Sequence, residues 1–115
     1  MLTYLASPYS HPDPDVMHHR YELACAAAGV LMKCGHKVFA PIAHSHRIGQ
    51  LIGSSVDHDF WLEQDFAILR HCDQMLVLLI NGWKESKGVQ AEIEFCKARA
   101  IPVEYLFPQD LGVAP

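Results

Sequence analysis

Apolar and polar positions along the chain fall into short runs and helical stripes that alternate. Leu2 to Ala6 is a short apolar run leading into Ser7-Pro8-Tyr9-Ser10, which predicts a buried strand feeding a loop. Asp13 and Pro14 supply a capping oxygen and a first-turn proline, so a helix is expected from there to about Cys34, closed by Gly35. Its apolar face takes Val16, Leu23, Ala27, Val30, Leu31 and Cys34. Lys37 to Ala40 reads as a second strand. Pro41 to Ser55 mixes Gly, Ser and His without clear periodicity and reads as a long functional loop holding at most a helical turn. A helix is expected over about Asp57 to His71, and Met75 to Ile80 is continuously apolar, as in a central parallel strand covered on both faces. Asn81-Gly82-Trp83 breaks that run; a helix over about Lys87 to Ala100 and an edge strand over Pro102 to Phe107 follow, with Pro108 to Pro115 read as a tail.

Every predicted strand is separated from the next by a helix or the long loop. This order calls for an α/β fold: a small doubly wound, Rossmann- or flavodoxin-like parallel sheet of four to five strands with helices on both faces, in one domain over residues 1–107. In such sheets the ligand crevice lies beyond the carboxyl ends of the strands. Three loops are thereby selected: Ser7 to Asp13, Pro41 to Ser55, and Asn81 to Gly88.

Composition narrows the function classes. The 115 residues carry 9 Lys+Arg against 13 Asp+Glu, a net charge of −4, with 50% hydrophobic and 19% charged residues, as in one globular domain. The negative balance and the lack of a basic run argue against binding a nucleic-acid duplex, leaving a small molecule as the expected partner. No run reaches the roughly 20 apolar residues of a membrane span, and Met1 leads straight into a strand instead of a signal peptide, so a cytoplasmic location is expected. Cys25, Cys34, Cys72 and Cys96 form no Cys-x-x-Cys pair and read as small buried thiols. Neither a dinucleotide nor a Walker glycine motif is present, and no cofactor is expected.

Candidate chemistry sits where helical periodicity asks for an apolar residue and the sequence supplies a polar one. In the helix over 57–71, Asp65 projects from the arc of Trp61, Leu62, Ile68, Leu69 and Cys72, so it either tethers a neighbouring loop or faces a polar cleft. In the helix from Lys87, Glu92 borders the stripe of Val89, Ile93, Cys96 and Ala100, whereas Glu94 points nearly the opposite way. Ser86 and Gly88 suit either an ordinary cap or an anion site at the helix start. Arg20 intrudes on the apolar arc of the first helix, where a snorkelling stem accounts for it unless an anion sits nearby. His44, His46 and His58, with Asp57 and Asp59, read as hydrogen-bonding histidines that contact a substrate hydroxyl or cap a loop; their spacing matches no metal template, and no metal is expected.

Three segments carry a resemblance: Thr3-Tyr4-Leu5-Ala6-Ser7; Gln64-Asp65 followed by Cys72-Asp73; and Ser86-Lys87-Gly88-Val89-Gln90-Ala91-Glu92-Ile93. In order and spacing they resemble the nucleoside 2-deoxyribosyltransferase-like superfamily, which includes 2′-deoxynucleoside 5′-monophosphate N-glycosidases and a bacterial and phage branch. The resemblance implies Glu92 as nucleophile on the anomeric carbon and Asp65 as the acid partner, roughly 5 Å away if retaining-glycosidase geometry holds. It also implies Tyr4 holding Glu92, Ser7 in a turn lining the sugar pocket, and Ser86 with Gly88 at the 5′ end. Two positions depart from the family pattern: Ser7-Pro8-Tyr9-Ser10 lacks the basic residue of the monophosphate hydrolases, and Glu94 replaces a glycine. Loop position adds Tyr9, His44, His46, Asn81 and Trp83 as ligand contacts.

The expected function is an N-glycosidase or deoxyribosyltransferase acting on a nucleoside or nucleotide, with hydrolysis placed ahead of transfer, in a homodimer or higher homo-oligomer. A non-catalytic nucleotide-sensing module is the rival, and a metal hydrolase centred on His44, His46 and Asp57 is a third reading.

Overall fold

In the computed structural model, which describes residues 1–115, the apolar runs form β1 (Leu2–Ala6), β2 (Lys37–Phe39), β3 (Gln74–Leu78) and β4 (Val103–Leu106). All pair in parallel in the order β2-β1-β3-β4. Helices α1 (Pro14–Lys33), α2 (Pro41–Ile52), α3 (His58–Leu69) and α4 (Lys87–Ala98) connect them. The chain leaves β1 toward β2 on one side and continues from β3 to β4 on the other. The strand order therefore reverses between β1 and β3, and a crevice opens beyond their carboxyl ends.

Alternation along the central strands divides the core between the two faces. Leu5, Leu76 and Leu78 pack with Leu23, Ala27, Ala28 and Leu31 of α1. Tyr4, Ala6, Met75 and Val77 pack on the other face with Leu69 of α3 and Val89, Ile93 and Cys96 of α4. Each fully buried aliphatic side chain contributes roughly 1.5–3 kcal/mol. The sheet is thus covered on both faces, as a doubly wound fold requires.

The caps explain where the helices begin. Asp13 accepts from the Asp15 N–H at 2.9 Å ahead of Pro14, and Asp57 accepts from the Phe60 N–H at 3.0 Å. Helix α1 stops before Gly35, whose φ of 101° suits only glycine.

Two segments differ from the sequence expectation. Pro41–Ile52, expected as a loop, is a full helix with proline in its first turn and Gly53 (φ 72°) at its end. The final residues form a 3-10 turn over Pro108–Leu111, and Val113 is buried in the α1-side core. Of the four cysteines expected to be buried, Cys72 and Cys96 are, Cys25 is half-buried, and Cys34 is exposed where α1 ends. No helix is long and apolar enough to cross a membrane.

Candidate active site

Tyr4 lies on the α4-facing side of β1 and is wholly buried. Its hydroxyl donates to Glu92 Oε2, a buried polar contact in an otherwise apolar layer. Glu92 is only 4% exposed. Burial pushes its carboxyl up to about 8; the Tyr4 hydrogen bond opposes that rise and the Asp65 charge adds to it. Asp65, half-buried on α3, is pushed up to about 7 by burial. The Tyr4 phenol is raised as well, by burial first and then by the charges of Glu92 and Asp65. Burial therefore keeps both carboxyls protonated further into the neutral range than ordinary carboxylates.

Both carboxyls open onto a cleft of about 710 Å³ at the carboxyl ends of the strands. That volume lies within the range of small-molecule sites. Met17, Ile42, Val56, Trp61 and Leu62 give it apolar walls, and Ser7, Tyr9, Gln50, Asp57, His58 and Lys87 supply polar groups. Ser7 Oγ is buried in the wall with no hydrogen-bond partner, which leaves it free for a ligand. Ser86 caps α4, its Oγ accepting from the Val89 N–H at 3.2 Å, and it lines the cleft beside Gly88.

The structure therefore gathers Asp65, Glu92, Ser7, Tyr9, Ser86 and Gly88 around one cleft, with Tyr4 behind Glu92. His46 stands behind Tyr9, its Nδ1 lying 2.7 Å from the phenol oxygen. Three expected contacts lie elsewhere. His44 is exposed on the far side of α2 against Phe39, with ring centroids 5.8 Å apart. The loop after β3 turns at Gly82 (φ 95°), where an added Cβ would fall 2.4 Å from Arg20 Nη2. That turn directs the Asn81 carbonyl to Arg20 and lays Trp83 on Tyr105 of β4, so neither side chain reaches the cleft.

Arg20 donates to the carbonyls of Ser10 at 2.9 Å and of Tyr9 and Asn81 at 3.4 Å, so it joins the loops after β1 and β3. The proposed metal cluster does not assemble: His46 engages Tyr9, Asp57 caps α3, and His44 faces outward. No group of three or more His, Cys, Asp or Glu side chains could hold a metal ion.

Gln50, Ile42, Ser45 and Met17 are lining residues that the sequence reading missed. Helical phase over Pro41–Ile52 was the available signal, because positions 42, 45, 46 and 49 share one face at 100° per residue.

A family model described as a domain of unknown function (DUF1937) matches residues 1–107. No protein of curated function matches the chain. A solved structure described as a 2-deoxyribosyltransferase from the psychrotolerant bacterium Bacillus psychrosaccharolyticus is similar, with a TM-score of 0.65 and 21% identity over 94% of this chain and 73% of that one. The chain has a nucleoside 2-deoxyribosyltransferase-like fold.

Proposed function

We propose that this chain, which belongs to the DUF1937 family, cleaves the N-glycosidic bond of a nucleoside or nucleotide through a covalent ester on Glu92. The observation that carries the proposal is the buried Glu92 carboxyl, held by the Tyr4 hydroxyl and facing the same cleft as Asp65. Similarity to a 2-deoxyribosyltransferase fold supports it.

An ionised Glu92 oxygen attacks the anomeric carbon, and the carbon–nitrogen bond breaks with its electron pair passing to the base. The Asp65 carboxyl protonates the departing nitrogen. In the second half, Asp65 takes a proton from water as the water oxygen attacks the same carbon, and the ester bond returns its electrons to Glu92. A second base in place of water turns hydrolysis into transfer. Ser7 and Ser86, which line the same cleft as Glu92, are assigned to the sugar hydroxyls and the 5′ end. A cytoplasmic location and a homo-oligomeric state are part of the proposal; sedimentation of the purified protein tests the second.

Chromatographic detection of free base tests the proposal on a panel of nucleosides and 5′-monophosphates, with and without a second base as acceptor. Glu92→Ala and Glu92→Gln are expected to lower release by about 10³-fold or more. Glu94→Ala, altering an exposed residue paired with Lys97 at 3.6 Å, is expected to match wild type. Binding of the same compounds without base release from any of them would replace the enzyme with a nucleotide-sensing module.

A further inference from the structure

The direction of each hydrogen bond around His46 follows from the groups at the two ends. Arg47 Nη1 lies 3.1 Å from Gln50 Oε1, and a guanidinium only donates, so the amide oxygen is the acceptor. The Gln50 amide nitrogen then faces His46 Nε2 at 3.4 Å and donates to it, which requires that Nε2 carry no hydrogen. His46 is 8% exposed, and burial together with the neighbouring His18 lowers its pKa, so the ring is neutral with a single N–H. That hydrogen belongs on Nδ1, 2.7 Å from the Tyr9 oxygen, and the ring donates to the phenol. The hydroxyl hydrogen of Tyr9 is left free at the cleft wall. Both partners are held in place: Tyr21 stacks on His46 with centroids 4.0 Å apart, and Arg20 fixes the Tyr9 backbone.

We propose that Arg47, Gln50 and His46 form a one-way hydrogen-bond chain that makes Tyr9 a donor to the ligand, so that the cleft selects a hydrogen-bond acceptor there, a base carbonyl or a phosphoryl oxygen, over an amino group. His46 is a positioning residue acting through Tyr9. The inference rests on the cleft being a nucleoside or nucleotide site.

The test uses the full chain at pH 8, where the charged and titratable groups around His46 are His18, Tyr21 and Glu22 of α1, Arg47 of α2, and Tyr9. Binding of 2′-deoxyuridine and 2′-deoxycytidine, which carry an oxo or an amino group at one ring position, and of their 5′-monophosphates is measured by calorimetry. Nitrogen NMR reads the His46 tautomer in parallel. Wild type is expected to show the Nδ1–H tautomer and about tenfold tighter binding of the acceptor-bearing member, either oxo over amino or monophosphate over nucleoside. Which ratio departs from one identifies the source of the acceptor.

Tyr9→Phe is expected to bring that ratio to near one. Gln50→Glu, whose carboxylate can only accept a hydrogen bond and so favours a hydrogen on Nε2, is expected to move His46 to the Nε2–H tautomer and to abolish the preference. An Nε2–H tautomer in wild type, or ratios unchanged in Tyr9→Phe, overturns the proposal. If none of the four compounds binds, the selection is overturned, while the glycosidase reading is decided by base release from the wider panel. Tyr9-dependent binding without base release removes the glycosidase reading alone.

Discussion

The Tyr4 hydroxyl is the one group bonded to Glu92, and it stabilises the ionised form that nucleophilic attack needs. In Tyr4→Phe, burial and the Asp65 charge would act on Glu92 without that opposing contact, so its pKa rises further above about 8. In the proposed reaction the ionised form is the active one. The acid limb of kcat/KM is therefore expected to move to higher pH, with activity near pH 7 falling about tenfold or more. An unchanged limb in a pH–rate profile would count against Tyr4 acting on Glu92. Asp65 and Glu92 stood out in the sequence because an acid in or beside an apolar arc demands a partner or a cleft; both line the cleft, and Glu92 also accepts from Tyr4. Tyr4 was not legible from pattern, since its ring completes an apolar strand and its hydroxyl leaves no trace in the alternation; the resemblance alone pointed to it. Asn81 and Trp83 were placed by loop position, which says nothing of where a side chain turns once Gly82 bends the backbone.

Hydrophobic periodicity identified the helices whose buried stripe is apolar and passed over the one whose inward face lines the cleft. Helix α2 turns Ile42, Ser45, His46 and Gly49 inward while Ile48 and Leu51 are exposed, so its pattern is inverted relative to a core-packing helix. Its ends were still encoded, by Pro41 at the start and Gly53 after the last turn. Helix α4 shows the complementary case. Its stripe was clear but its end was expected at Ala100, two residues late, because no glycine marks the stop. The chain closes it with a Schellman turn: the Ile101 N–H donates to the Cys96 carbonyl at 2.9 Å, and Ala100 adopts φ 57°. A non-glycine residue in this left-handed region costs about 1 kcal/mol. Ala100→Gly is accordingly expected to stabilise the protein by about 0.5–1 kcal/mol, read as a rise in the denaturant midpoint with an unchanged slope. A fall in the midpoint would show that the entropy lost by a glycine outweighs the relieved strain.

At the scale of the whole molecule, the fold was legible because strand and helix alternate around a central apolar run, and this leaves few topologies open. The cost of the site to the fold was not legible, since it arises from burial produced by several elements at once. Glu92 and Asp65 are held between β1, α3 and α4, and their carboxyls lie at about 8 and about 7 instead of their ordinary 4.5 and 3.8. The folded chain thus keeps protons that the unfolded chain releases. Stability from these groups is full below about pH 4 and is lost as pH rises through the folded-state values. Wild type is expected to melt at a higher temperature at pH 5.5 than at pH 8. Glu92→Gln removes the larger of the two titrations while leaving an oxygen for the Tyr4 hydroxyl. That variant is expected to be more stable than wild type at pH 8, by an amount on the order of a few kcal/mol, with the gap closing toward pH 5. Melting curves of both proteins across this range decide the matter. A Glu92→Gln protein no more stable than wild type at pH 8 would mean that the carboxylate is solvated or paired well enough to ionise at little cost.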